Sequence, residues 1–322
     1  MDTELMLEMY CRMVRIRRFE EEVERLFLEG EIPGFTHLSI GQEAVAVGSC
    51  LALQEDDYIT SCHRGHHYAI AKGMELAPMM AELFGKKTGF QSGKGGSMHV
   101  SDFDKGMLGG YAIVGGGIPV AAGAALACQM KKLNKIVATF FGDGGINTGA
   151  FHEALNVAAI WNLPILFICD NNRWAVSTSI ESAVKLKRLS DRAAGYGIPG
   201  VTVDGNDVLE VWEAVNKAAS RARQGKGPTL IEAQTYRMRG HFIGDPQHAV
   251  PREELEQWKK RCPIKRFGAE LMRQGILSKE KVELIREEIE KDIQKAIAFA
   301  RESPFPERDA AFKDVYGVEV LP

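Results

Sequence analysis

The amino-acid sequence predicts an α/β protein with a doubly wound, mostly parallel sheet that carries helices on both faces. Three continuous apolar runs support this prediction, at residues 136–141 (IVATFF), 164–170 (PILFICD) and 228–236 (PTLIEAQTY). Strands without a polar face are typical of parallel sheets that are covered on both sides. Stretches with helical patterns alternate with these runs, which predicts βαβ units with a ligand at the carboxyl ends of the strands.

In chain order, the first element is an amphipathic helix over residues 9–27, where apolar side chains such as Met13 and Ile16 recur at helical spacing between arginines and glutamates. A loop punctuated by glycine and proline follows, and a helix of small residues begins near Gly41. Residues 85–117 contain eleven glycines in 33 positions together with Lys, His and Met. This composition predicts a structured loop region around a site rather than a plain linker.

The second half continues the alternation, with a helix over about 149–161 and a strand over 200–204 (GVTVD). Beyond that the chain becomes strongly charged and helical. We predict a single domain over residues 1–322, with a peripheral N-terminal helical arm at about 1–33 and a peripheral C-terminal helical region at about 251–304.

The overall charge argues against a nucleic-acid partner. Forty basic and forty-three acidic residues leave a formal charge of −3, with a pI near 6.3 and no basic arm. No apolar run approaches the roughly 20 residues of a membrane helix, and the chain start lacks the layout of a signal peptide. The six scattered cysteines contain no CxxC pair, which predicts reduced thiols. We therefore expect a cytoplasmic protein without a membrane partner.

Polar residues follow two successive predicted strands. Gly142-Asp143-Gly144 comes directly after the first, and Asn171-Asn172 comes directly after the second. A carboxylate and an amide oxygen are hard ligands that suit an octahedral divalent ion whose other ligands are phosphate oxygens and water. Asp143 and Asn172 are therefore candidates for holding a metal-bound diphosphate. Flanking glycines would let the backbone approach it, and the following helix would offer free N–H groups.

Each of these two motifs alone also suits an ordinary turn. Together, at this spacing and after two apolar strands, they resemble the thiamine diphosphate-binding motif, in which GDG is followed about thirty residues later by NN.

The resemblance extends over about residues 5–265 in order. It is carried by GFTHLSIGQEAVAVG (34–48), GKGGSMH (93–99), GAFHEALNV (149–157), GYGIPGVTVDGND (195–207) and TYRMRGH (235–241). These segments resemble the alpha subunit of the E1 component of 2-oxo acid and acetoin dehydrogenase complexes.

The resemblance implies thiamine diphosphate and Mg²⁺ as cofactors. It implies Asp143, Asn172 and the backbone carbonyl of Trp174 as magnesium ligands, and places Gly142, Gly144 and Gly145 against the diphosphate. The other cofactor-binding residues that it implies are His63, Arg64, Ala112, Ile113, Val114, Arg237 and His241. Among these, Arg64 and Arg237 would lie near the diphosphate, and residues 112–114 would support the aminopyrimidine ring. Ala112 stands where glycine is more usual, and His63 where an aromatic residue is common.

His37 and His241 match histidines that line the active site in this family, so we expect catalytic roles for both. A different interpretation remains open, in which Cys62, His63, His66 and His67 form a zinc site, although no second ligand group stands at typical spacing. The run Gly115–Gly123 resembles a dinucleotide fingerprint only in part, because Val120 stands at its third glycine and no clear strand precedes it.

The family also implies partners. Its two-chain members take the glutamate that activates the pyrimidine from a beta subunit, and no such residue is identifiable here. We therefore expect an E1 beta subunit in an α2β2 heterotetramer and a lipoyl-bearing E2 component. Phe242 stands where mitochondrial relatives have a phosphorylated serine after the histidine, which excludes that control here.

The expected reaction is cleavage of acetoin or decarboxylation of a small 2-oxo acid, with pyruvate foremost, and transfer of the acyl unit to E2. Three alternatives remain: a branched-chain 2-oxo acid dehydrogenase E1 alpha, a cofactor-binding assembly subunit without turnover, and a single-chain thiamine enzyme, for which the chain is short.

Overall fold

The computed structural model of the protein describes residues 2–314. The helices are α1 (Thr3–Leu28), α2 (Glu43–Ala52), α3 (His66–Ala71), α4 (Leu76–Leu83), α5 (Gly117–Met130), α6 (Gly149–Ile160), α7 (Ile180–Ala183), α8 (Val208–Arg223), α9 (Arg252–Lys260), α10 (Pro263–Arg273) and α11 (Lys279–Glu302). The strands are β1 (Tyr58–Cys62), β2 (Met107–Tyr111), β3 (Val137–Gly142), β4 (Ile165–Asn171), β5 (Trp174–Ala175), β6 (Thr178–Ser179), β7 (Gly200–Asp204) and β8 (Thr229–Gln234). Short 3-10 turns cover Asp143–Asn147, Leu189–Tyr196 and Arg308–Phe312.

Six of the strands form one sheet in the order β2-β1-β3-β4-β8-β7, and every neighbouring pair in it is parallel. The central pair is in register from Val137 opposite Ile165 to Gly142 opposite Asp170. Strands β5 and β6 form a separate antiparallel pair. The predicted fold class, a doubly wound parallel sheet, is confirmed.

Both faces of the central strands are buried, which explains their unbroken apolar runs. Val137 and Phe141 of β3 pack in a cluster with α5 and α6, including Phe151. Ala138 and Phe140 alternate with them and pack in the larger cluster on the opposite face, with α2 and α8. Because successive side chains of a strand point to opposite faces, a strand in the middle of such a sheet needs apolar residues at every position.

Helices at both ends of the chain complete the larger cluster. Met9, Met13 and Ile16 of α1 are fully buried, and α11 contributes the buried Ile293 and Ile297. The predicted terminal helices are therefore present. The division into one domain with an arm at 1–33 and a helical region at 251–304 stays a prediction.

Two strands of the sheet were missed by the sequence analysis. β1 (YITSC) and β2 (MLGGY) lack a continuous apolar run. Their neighbours in the structure favour a hydroxyl group at one position and a residue without a side chain at another. Thr60 donates to Thr139 of β3 at 2.8 Å. At Gly110 a side chain would lie 2.7 Å from the Met98 carbonyl oxygen. β2 also precedes the glycines that open α5, where the sequence indicated no clear strand.

Among residues 2–314, no helix combines the length and the apolar character that crossing a bilayer requires.

Candidate active site

The two polar strand ends lie side by side. Asp143 follows the last residue of β3, and Asn172 follows the last residue of β4. Because β3 and β4 are parallel neighbours in register, both side chains reach the same carboxyl edge of the sheet. Both line one cavity there, together with Gly142, Gly144 and Gly145.

Asp143 is a buried carboxylate in a site that favours its neutral form. It is 2 % exposed, and burial raises its pKa to about 7, with the nearby Asp170 acting in the same direction. Backbone N–H groups of Asp143 and Gly144 and the charge of Arg237 oppose this rise. A bound cation would stabilise the ionised carboxylate, so the site suits a metal ion electrostatically.

Asn172 has its amide fixed on both sides. Its side-chain amide lies 3.0 Å from that of Gln42, and the Trp174 backbone N–H donates to its Oδ1 at 3.3 Å. The predicted donor set of a carboxylate, an amide oxygen and a carbonyl oxygen fits a hard divalent ion such as Mg²⁺. The signal that could have found Gln42 is its place next to Gly41 at the predicted start of a helix.

The side chain of Arg237 contacts the backbone of the same segment. The Arg237 side chain is 2 % exposed, and it donates to the carbonyl oxygens of Trp174 and Val176, each at 2.9 Å. One lone pair of the Trp174 carbonyl, the predicted third magnesium ligand, is therefore already engaged. Arg237 Nε is buried without a partner in the described chain, and Arg237 is not among the residues that line the cavity.

Arg64 connects two loops at the cavity. Its Nη1 donates to the Leu38 carbonyl oxygen, and its Nη2 donates to the His241 carbonyl oxygen at 3.1 Å. Burial lowers the pKa of Arg64 from its usual value. The guanidinium thus holds the segments that carry His37 and His241 beside the cavity that Arg64 itself lines.

The glycines and residues 112–114 divide into those that line the cavity and one that does not. A Cβ atom added at Gly144 would lie 2.9 Å from Ala175 Cβ, whereas a Cβ atom added at Gly142 would have no neighbouring atom within 4 Å. The Gly142 backbone therefore faces open space that a ligand can enter. Ala112 and Val114 line the cavity, but Ile113 is not among the lining residues and is 79 % exposed.

The helix that was expected to offer N–H groups begins at Gly149, where the sequence predicted it. A 3-10 turn over Asp143–Asn147 separates β3 from α6, and the Thr148 hydroxyl caps α6 by accepting from the Phe151 N–H at 3.3 Å. Gly149 does not line the cavity, whereas Gly144 and Gly145 do. Amides of the turn, rather than of the helix, are thus closest to a bound ligand.

Three of the predicted site histidines converge from distant segments. The ring centroids of His37 and His63 are 4.6 Å apart, and that of His241 is 5.1 and 5.3 Å from them. Burial, reinforced by the charge of Arg64, lowers their pKa values to about 3, 2 and 4 respectively. All three imidazoles are therefore neutral at pH 7.

The alternative zinc group is not assembled. His66 lies within 3.3 Å of Glu20 Oε2 and 2.9 Å of Ser97 Oγ, and His67 Nε2 is 3.6 Å from Asp170 Oδ2. Within residues 2–314 it is His37, His63 and His241 whose ligand atoms group together. His66 is thus a buried hydrogen-bonded histidine.

Asp170 is a further site residue that the sequence analysis missed. It is 4 % exposed, lines the cavity, and accepts from the Tyr68 hydroxyl at 2.9 Å. Its position immediately before Asn171-Asn172 was the available signal. Because Asp170 lies at the end of the apolar run of β4, the sequence analysis assigned it to the strand and not to the site.

The sequence profile of the dehydrogenase E1 component family matches residues 11–309. The chain belongs to this family. Membership implies that the chain works with thiamine diphosphate.

Several relatives resemble the chain over nearly its whole length. The alpha subunit of acetoin:2,6-dichlorophenolindophenol oxidoreductase from Bacillus subtilis (strain 168) is 48% identical over 311 residues, covering 96% of this chain and 93% of the relative. The protein of the same description from Cupriavidus necator is 44% identical over 318 residues, covering 98% and 95%. The pyruvate dehydrogenase E1 component subunit alpha of Porphyra purpurea is 41% identical over 308 residues, covering 94% and 90%.

Proposed function

We propose that this E1 chain is the alpha subunit of an enzyme that cleaves acetoin and passes the acetyl unit to a lipoyl-bearing E2 component. The observation that carries the proposal is the pairing of Asp143 and Asn172 at adjacent strand ends in a chain of the E1 family. Relatives described as acetoin oxidoreductase alpha subunits, at 48% and 44% identity, support the substrate.

In this proposal, Mg²⁺ is held by Asp143, Asn172 and the remaining lone pair of the Trp174 carbonyl. Gly142, Gly144 and Gly145 give the diphosphate access to the backbone, and Arg64 and Arg237 supply positive charge. Thiamine diphosphate, held by these residues, would supply the chemistry for breaking a carbon–carbon bond next to a carbonyl group. The chain's own contribution is to orient the diphosphate end and to exclude water.

His37 and His241 are the proposed catalytic residues. Because both imidazoles are neutral at pH 7, each has one nitrogen that can accept a proton and one that can donate. They are suited to hydrogen bonding with the hydroxyl and carbonyl groups of a hydroxyketone.

The same neutrality favours acetoin over pyruvate. A 2-oxo acid brings a carboxylate, and Arg64 and Arg237 already donate to backbone carbonyls and are assigned here to the diphosphate. The three histidines add no charge to hold a second anion. Pyruvate is the second candidate, because the 41% identical relative from Porphyra purpurea is described as a pyruvate dehydrogenase subunit.

An E1 beta subunit is the proposed partner, in an α2β2 heterotetramer. Apolar side chains beside the cavity remain exposed in this chain: Ile113 is 79 %, Val176 53 % and Val114 50 % exposed. Exposed apolar groups around a site indicate a surface that another chain covers. The beta subunit would also provide the pyrimidine-activating glutamate, which is not identifiable in this chain.

The test is reduction of 2,6-dichlorophenolindophenol by the chain co-expressed with its beta partner, with thiamine diphosphate and Mg²⁺, on acetoin, pyruvate and branched-chain 2-oxo acids. We expect acetoin to be preferred by at least about tenfold in kcat/KM, equivalent to about 1.4 kcal/mol. Preference for pyruvate would establish the second candidate. Preference for a branched-chain acid would contradict both.

Asp143→Asn tests the cofactor site in the same complex. Loss of the negative charge on one metal ligand should lower kcat/KM by at least about a hundredfold and weaken Mg²⁺-dependent cofactor binding measured by calorimetry. Asp104→Asn, at an exposed loop position, is the control and should leave both unchanged. Full activity of Asp143→Asn would instead favour an assembly subunit without its own site.

A further inference from the structure

The three clustered histidines have the arrangement of a metal site. His37 precedes α2, His63 follows β1, and His241 lies in the loop after β8. One ring nitrogen from each lies within 4.8 Å of the others. Zinc–imidazole bonds of about 2.1 Å put neighbouring nitrogens of a tetrahedral site roughly 3.4 Å apart. Small side-chain rotations would therefore bring all three nitrogens onto one ion.

An unpartnered atom points to a ligand at the same place. His37 is 8 % exposed, and its Nδ1 is buried without a hydrogen-bond partner in the described structure. Most buried polar atoms are paired, and an unpaired one carries a free-energy penalty. A metal ion bound by this cluster would satisfy the nitrogen.

Positive charge nearby limits the affinity of such a site. Arg64 lines the same cavity, and Arg237 Nη1 lies 3.2 Å from His241 Nδ1. The carboxylate of Asp245, which accepts from the His241 N–H at 2.6 Å, offsets part of this charge. We therefore expect an exchangeable ion rather than a permanently bound structural one.

We propose that His37, His63 and His241 form a binding site for a divalent ion of the zinc class, with a fourth position open. Its ligands differ from the oxygen ligands Asp143 and Asn172 of the same cavity, because imidazole suits Zn²⁺ whereas carboxylate and amide oxygens suit Mg²⁺. When Zn²⁺ is bound, His37 and His241 are its ligands and can no longer form hydrogen bonds with the substrate. Bound Zn²⁺ therefore inhibits the enzyme. The inhibition rests on the proposed function, whereas the binding does not.

The test uses Co²⁺ as the probe on the full chain, with neither beta subunit nor cofactor present. Tetrahedral Co²⁺ absorbs strongly in the visible region, so we expect one equivalent to give these bands and Zn²⁺ to remove them. His37→Gln and His63→Gln should each weaken Co²⁺ binding about tenfold or more. His248→Gln, at an exposed loop histidine, should leave it unchanged.

A measurement on the unaltered chain covers the case in which a variant fails to fold. Cu²⁺ bound at this site should show nitrogen hyperfine couplings in electron paramagnetic resonance. A Cu²⁺ spectrum without nitrogen couplings, Co²⁺ bands lost in Asp143→Asn but kept in the histidine variants, or no binding at all would each overturn the site.

Calorimetry with Mg²⁺ and thiamine diphosphate on the chain assembled with its beta partner separates the two proposals. Cofactor binding without Co²⁺ binding overturns the histidine site alone. Co²⁺ binding without cofactor binding overturns the proposed function alone.

Discussion

At the scale of single residues, Glu20 holds together segments that surround the site. This carboxylate is fully buried in α1 and accepts from the Ser39 hydroxyl at 2.6 Å. It lies 3.3 Å from His66 Nδ1, whose other ring nitrogen is 2.9 Å from Ser97 Oγ. One charged group thus links α1, the segment before α2, α3 and the glycine-rich loop.

The titration of Glu20 leads to a pH-dependent prediction. Burial raises its pKa, but the charge and hydrogen bond of His66 and the bond from Ser39 outweigh burial, so the pKa is lowered from its usual value. A carboxyl whose pKa falls on folding stabilises the protein above its unfolded-state pKa, about 4.3. That stabilisation is lost as the pH falls through the lower folded-state pKa.

We expect Glu20→Gln to lower the free energy of unfolding by about 3–5 kcal/mol near pH 7, because it breaks a buried charged network. The difference from the unaltered chain should shrink below about pH 4. Urea unfolding at both pH values measures it. Glu288→Gln, exposed on α11, is the control. A difference that stays constant with pH would show that Glu20 is not ionised in the folded protein.

At the scale of elements, α4 organises the glycine-rich loop through one side chain. Glu82 is fully buried, and its carboxylate accepts from four backbone N–H groups. The donors are those of Gln91 at 2.8 Å, Gly93 at 2.9 Å, Gly95 at 2.8 Å and Gly96 at 3.1 Å. The loop was predicted to be structured, and this carboxylate supplies the structure.

Glu82→Gln should release the loop, because the amide –NH₂ would face backbone donors in place of one carboxylate oxygen. We expect faster hydrogen exchange of amides 91–96 by about tenfold or more, with α4 itself still protected. Glu75→Gln, at the exposed N-cap of the same helix, is the control. Unchanged exchange at 91–96 would mean that packing alone orders the loop.

The elements also show how far sequence patterns reach. β3, β4 and β8 were predicted within one or two residues, because strands buried on both faces must be apolar throughout. β1 and β2 were missed, because Thr60 is selected by a hydroxyl partner on β3 and Gly110 by the close approach of Met98. Those requirements come from other parts of the chain and leave no local periodicity.

At the scale of the whole molecule, α5 presents an apolar outer face. Its inner side packs against the sheet and α6, whereas its outer residues are small or apolar and exposed: Pro119, Val120, Gly123, Ala127 and Met130. Val120 is 41 % and Met130 74 % exposed. The helix follows Val114 and Gly115, which line the cavity, so this face continues the exposed apolar surface beside the site.

We expect Val120→Glu to prevent association with the beta partner, because a charge would be buried without a counter-ion. Light scattering on co-purified complexes should show the heterotetramer replaced by smaller species, with the circular dichroism of the chain unchanged. Leu284→Glu, 64 % exposed on α11, is the control and should still assemble. Equal assembly of both variants would place the interface elsewhere.

The sequence by itself determined the fold class and which polar residues meet at the strand ends. The carboxyl ends of parallel strands lie at one edge of the sheet, so Asp143 and Asn172 were expected at the same edge. Only the tertiary structure decided that Arg237 donates a hydrogen bond to the Trp174 carbonyl oxygen and that Ile113 lies outside the cavity. It also decided that His37, His63 and His241 form one cluster. Those contacts join residues far apart in the chain, and side-chain packing between distant segments has no periodic signal in the sequence.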